Sequence, residues 1–143
     1  MGCYRFYCFR FTSCNFKKTK YFVKQLLIVF IGGGLGSVFR FVLTKISILN
    51  YSKFPAPTLI SNVIGCFILG LVLGYAIKNN HLNSPQTLLL ATGFCGGLTT
   101  FSTFAYENIS LIKSGDISQL LFYTFLSLLL GFSAIFLGLQ LSK

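Results

Sequence analysis

Gly93-Phe94-Cys95-Gly96-Gly97-Leu98-Thr99-Thr100-Phe101-Ser102-Thr103-Phe104 decides how this chain folds. The stretch lies inside an apolar run, Leu88 to Leu111, long enough to cross a bilayer. Its centre is glycine, threonine and phenylalanine, which do not favour an uninterrupted helix. Gly96 and Gly97 lack side chains and predict a break there. A break frees backbone carbonyls, and irregular backbone at that depth survives only when buried in protein or lining a cavity. Such carbonyls are ligands for a small hard cation. Beyond the break, Phe101 and Phe104 lie three apart and share a helix face. Ser102 and Thr103 add hydroxyls beside them, and a ring edge carries partial positive charge. Hydroxyls and ring edges together suit a small anion. A second reading stands for the glycines: Gly93 and Gly97 form a small-xxx-small seam for helix packing, with the phenylalanines facing lipid.

The rest of the chain agrees with a membrane setting. Of 143 residues, 54% are hydrophobic and 10% charged, and Glu107 and Asp116 are the only acids. That composition is not one of a soluble domain. The net charge of +10 raises the question of nucleic acid. Position argues for no nucleic acid: the basic residues crowd the N-terminus or flank apolar runs, where they act as topology signals and contacts to membrane lipid.

Four spans are predicted, each near the twenty residues a helix needs to cross. The first runs from Tyr21 to Lys45 and contains Gly32-Gly33-Gly34-Leu35-Gly36. The pattern lies in mid-span with no preceding strand, so it is not a dinucleotide loop. Arg40, near the far end, either snorkels to headgroups or pairs inside the protein, and its position favours snorkelling. The second span, Thr58 to Ile77, follows Pro55 and Pro57 and carries Asn62, which serves as interhelical glue or faces a polar pathway. The third contains the central stretch and ends near Glu107, expected at the water interface. The fourth, Ile117 to Leu141, places Tyr123 and Ser127 four apart on one face. Their hydroxyls bond backbone at i−4 or line a track. His81 sits alone in a polar loop without a second metal ligand. Cys66 and Cys95 read as buried thiols. No nucleophile–base pair or metal cluster stands out, so the chain does not read as an enzyme.

Residues 1–20 form a basic-aromatic N-terminal extension distinct from the transmembrane domain at 21–143. Three readings stand for it: an interfacial segment on anionic lipid, an organelle transit peptide, or a leader that the working protein does not need. No apolar core with a cleavage site marks a signal peptide.

Taken together, the motifs resemble the CrcB/Fluc fluoride channel family. The resemblance rests on Gly32-Gly33-Gly34-x-Gly36-x-x-x-Arg40, on Thr58-Leu59-x-x-Asn62-x-x-Gly65-x-Phe67-x-x-Gly70, and on the central stretch from Gly93 to Phe104. It implies an all-α integral membrane protein of four transmembrane helices, the third broken, paired as an antiparallel, dual-topology homodimer. It further implies a fluoride path lined by Asn62, Phe101 and Phe104. Ser102, Thr103, Tyr123 and Ser127 resemble the family's polar track, with Arg40 near the vestibule. A structural sodium ion would be held by the backbone carbonyls of Gly96 and Thr99 from both subunits. The expected function is a fluoride-selective channel of the cell membrane that relieves fluoride toxicity.

Two alternatives were weighed on the residues. A small four-helix multidrug-type exporter wants a carboxylate in the first span, and Tyr21 to Lys45 has none. A passive membrane assembly subunit would use its glycines for packing alone. Charge counting bears on the pairing. Without the extension, one side carries Lys24, Lys78 and Lys143, and the other carries Arg40, Lys45, Lys53 and Lys113. That balance permits insertion both ways. With the extension the first side rises to eight charges against four, which favours one orientation and pairing with an oppositely oriented paralogue.

Overall fold

The computed structural model describes residues 5–46 and 54–142, with side chains described from Thr19 onward. Their elements are α1 (Arg5–Lys45), α2 (Ala56–Lys78), a segmented α3, α4 (Phe101–Lys113) and α5 (Ile117–Leu141). α3 begins with an α turn at Pro85–Thr87, widens into π turns over Leu88–Cys95 and closes with a last α turn at Gly96–Leu98. Four segments are long and apolar enough to cross a membrane: Thr19–Lys45, Ala56–Lys78, Pro85–Lys113 and Ile117–Leu141. These fall within a few residues of the spans read from the sequence for α1, α2 and α5. The third takes in both α3 and α4.

Local chemistry sets the boundaries. Pro57 occupies the second position of α2, where no N–H is required. Ser84 caps α3, its hydroxyl accepting from the Thr87 N–H at 3.2 Å. Gly115 closes the turn before α5 with φ of 79°, a conformation that suits glycine. α1 runs for 41 residues, and at 1.5 Å per residue it is about 60 Å long, twice the bilayer core. The backbone from Arg5 is therefore a continuous helical prolongation of the first span. The side chains on which the three readings of the extension turn, including Cys3, Cys8 and Cys14, lie outside the described residues, as does Lys53 in the first loop.

The break is not where the glycines placed it. Gly96 is helical, with φ −62° and ψ −36°. The extended residues are Thr99 (φ −75°, ψ 151°) and Thr100 (φ −149°, ψ 115°). β-branched residues tolerate extended backbone, and the Thr100 hydroxyl caps α4 by accepting from the Thr103 N–H at 3.3 Å. The glycines do other work. A Cβ added to Gly97 would fall on the Gly33 carbonyl oxygen, and one added to Gly36 would fall on the Phe94 carbonyl oxygen. α1 and α3 thus meet backbone to backbone along a small-residue seam, so the packing reading of Gly93 and Gly97 holds within a single chain.

Little of this chain is buried against itself. Tyr123 and Leu98 are fully enclosed, and Leu59, Leu111 and Tyr123 make a small cluster with Phe54 and Phe104 against it. Many large apolar side chains face outward, among them Phe30 and Phe101 at 78% and 79% exposure. Surfaces of that kind belong against lipid or another subunit.

Candidate functional site

The helix break organises everything around it. In an unbroken helix the Thr100 N–H would donate to the Gly96 carbonyl. Instead it donates to Asn62 Oδ1 at 2.7 Å, and Asn62 Nδ2 donates back to the Thr100 carbonyl at 3.3 Å. One amide therefore satisfies both backbone groups of Thr100 from the neighbouring helix. The Gly96 carbonyl loses its helical partner, and Gly96 itself faces open space. α1 attends to the next carbonyls along. Ser37 Oγ donates to Gly97 O at 3.5 Å, and Arg40 Nη1 donates to Thr99 O at 3.3 Å.

Arg40 therefore does not snorkel, which corrects the reading from its position. Its guanidinium turns inward to the midpoint of the third span, where a freed carbonyl outcompetes a distant headgroup. The charge balance changes accordingly. With Arg40 inside the protein, the core carries three basic residues on each side, Lys24, Lys78 and Lys143 against Lys45, Lys53 and Lys113.

Beside the break lies a groove of about 410 Å³ whose wall includes Asn62, Cys66, Thr99, Thr100, Phe101, Phe104 and Ser127. Phe101 and Phe104 share a face, their ring centroids 6.0 Å apart and tilted by 39°. Ser127 lies on the groove wall, but its Oγ is enclosed, with the Tyr123 hydroxyl as its polar neighbour. Ser102 and Thr103 are placed differently. Their hydroxyls gather on Thr100 Oγ at 3.3 and 3.0 Å in the first turn of α4, and neither lines the groove. Cys95 is buried and Cys66 partly so, both as free thiols.

Tyr123 stands behind the groove rather than on it. Its ring packs 5.2 Å from that of Phe104, and its hydroxyl donates to Glu107 Oε2 at 2.7 Å. Thr58 Oγ1 donates to the other carboxylate oxygen at 2.6 Å. Glu107, expected at the water interface, has partners of its own within the chain. It is half-buried inside the bundle, its two oxygens tying α2 and α5 to α4. The sequence held a signal for this: Glu107 follows Phe101 and Phe104 at a further spacing of three, on the same face. Thr58 and Thr100 are likewise site residues that composition did not single out. The carboxylate places negative charge behind the Phe104 ring, and Tyr123 and Thr58 hold it away from the groove.

The profile of the CrcB-like protein, Camphor Resistance (CrcB) family matches residues 27–139. The chain is 39% identical over 122 residues to a fluoride-specific ion channel FluC of Azobacteroides pseudotrichonymphae, covering 85% of this chain and 98% of that one. It is 45% identical over 120 residues to a protein of the same name from Gloeothece citriformis, covering 83% and 97%. With the namesake from Pyrococcus furiosus it shares 38% over 121 residues, covering 85% and 98%.

Proposed function

The chain belongs to the CrcB family, and on that premise we propose that it is a fluoride-selective ion channel that lets fluoride leave the cytoplasm down its gradient. It is a multi-pass membrane protein, and the reading places it in the cell membrane. The observation that carries the proposal is the groove at the break. There the Phe101 and Phe104 rings, the Asn62 side chain and Ser127 line one groove without an acid on the wall.

The chemistry fits fluoride. The ion is small and strongly hydrated, so a path must replace water without holding the ion too tightly. Asn62 has one amide N–H on Thr100 and a second left over, since the group carries two. Ring edges supply weaker positive charge at the remaining positions and avoid a deep well. Phe101→Ile and Phe104→Ile, each in assembled protein, should cut fluoride efflux from liposomes by tenfold or more, read with a fluoride electrode. Efflux at the unsubstituted rate in both variants would remove the rings from the path. A passive assembly subunit predicts no efflux from any of the proteins.

The proposal includes a second subunit. Phe101 is too exposed for one chain to enclose the path, and Gly34 and Gly96 open onto free space. Two copies in opposite orientations would bring two sets of break carbonyls together. Gly96 and Thr99 fit a structural sodium on this chain's geometry, because the break takes the helical partner from one and leaves the other at a helix end. When bound, the ion would supply positive charge at the meeting of four helix ends. The extension bears on who the second subunit is. Its five added basic residues favour an N-terminus in the cytoplasm. We therefore expect unequal insertion of the full chain and equal insertion of residues 21–143, tested by tag accessibility from each face. Equal dual insertion of the full chain would argue against an oppositely oriented paralogue.

A further inference from the structure

The carbonyl that the cation reading requires is already engaged. Arg40 Nη1 reaches Thr99 O at 3.3 Å from α1, a contact between residues 59 apart in sequence. A carbonyl oxygen has two lone pairs, so a hydrogen bond and a cation can occupy it together. Two positive charges at one oxygen nonetheless repel, and far from bulk water that repulsion is weakly screened. Among the described residues no cation stands against the Gly96 carbonyl: Ser37 goes to Gly97 and Asn62 takes the Thr100 N–H.

We propose that Arg40 and a bound cation share the Thr99 carbonyl, and that the guanidinium sets how loosely the cation is held. This rests on the sodium reading given above. In that arrangement Arg40 is a positioning residue with two effects. It satisfies the Thr99 carbonyl when no cation is present, so the break keeps its shape. It also lowers the affinity for the cation by raising the local potential. Both effects keep positive charge at the break whether or not sodium is bound, and that charge lies next to the groove that the anion would follow.

The test is thermal unfolding of the purified, assembled full chain in detergent. Sodium would be titrated against N-methylglucamine at constant ionic strength. The original chain should be stabilised with a measurable half-point in sodium. Arg40→Gln removes the charge and leaves a shorter, neutral amide donor, and its half-point should fall tenfold or more. Arg40→Lys restores the charge and should return the half-point towards that of the original chain. An unchanged or higher half-point in Arg40→Gln overturns the sharing alone. Indifference to sodium in every chain overturns the cation reading, and this inference with it. Should Arg40→Gln not assemble, Arg40→Leu takes its place. Failure of both to assemble at any sodium concentration overturns the proposal in favour of a guanidinium needed only for folding.

Discussion

Asn62→Leu should reduce fluoride flux by about a hundredfold or more. Leucine matches asparagine in bulk but leaves the Thr100 N–H and carbonyl without the partners they now have at 2.7 and 3.3 Å. An unsatisfied buried backbone group costs about 1–3 kcal/mol, and each 1.36 kcal/mol is tenfold in a rate. The cheapest relief is for Thr100 to return its N–H to the Gly96 carbonyl, which straightens α3 into α4 and turns Phe101 and Phe104 away from the groove. Asn62→Asp separates the two roles of the side chain. Aspartate keeps an acceptor for the Thr100 N–H, loses the donor to the carbonyl and adds a charge that repels an anion. It should assemble yet pass little fluoride. Near-normal flux in Asn62→Asp, with the carboxylate shown to be ionised, would mean that Asn62 only shapes the break. Amide exchange at Thr100 in each variant reports whether the break itself has closed.

The second large effect concerns folding. Gly36→Ala should sharply lower the yield of assembled protein, while Gly34→Ala should leave the fold intact. The added Cβ at Gly36 meets the Phe94 carbonyl oxygen and lies 2.8 Å from Leu98 N, both rigid backbone. At Gly34 it meets nothing within 4 Å. Overpacking of a tight contact costs about 1–3 kcal/mol, and here no flexible side chain can move aside. The two glycines lie two residues apart in the same motif, so propensity differs little between them. Size-exclusion profiles and thermal unfolding of the two variants in detergent check the contrast. Undiminished yield of Gly36→Ala would mean that the α1–α3 seam is looser than described.

The difference between these two glycines shows what the sequence revealed and what it left hidden. Hydropathy and length located the spans, because a bilayer demands about twenty apolar residues whatever their neighbours. The existence of a break in the third span was also legible, as was the shared face of Phe101 and Phe104. The position of the break was not. Gly96 and Gly97 have the right local propensity, but the break is decided by Asn62, 38 residues away, and it falls on threonines that carry their own cap. The inward partners of Arg40 and Glu107 were hidden for the same reason. Position along a span predicts headgroup and water contacts, and says nothing of a carbonyl or a pair of hydroxyls on a neighbouring helix. Tyr123 and Ser127 do share a side of α5, one packed behind the Phe104 ring and one on the groove wall.

Fluoride passes where chloride does not in the proposed channel. The direct measurement is efflux of each anion from liposomes bearing the purified protein, with the membrane potential collapsed and a fluoride or chloride electrode outside. Rapid loss of fluoride, with chloride retained as in protein-free vesicles, is the result expected. Equal release of both anions, or fluoride retained as in protein-free vesicles, would contradict it.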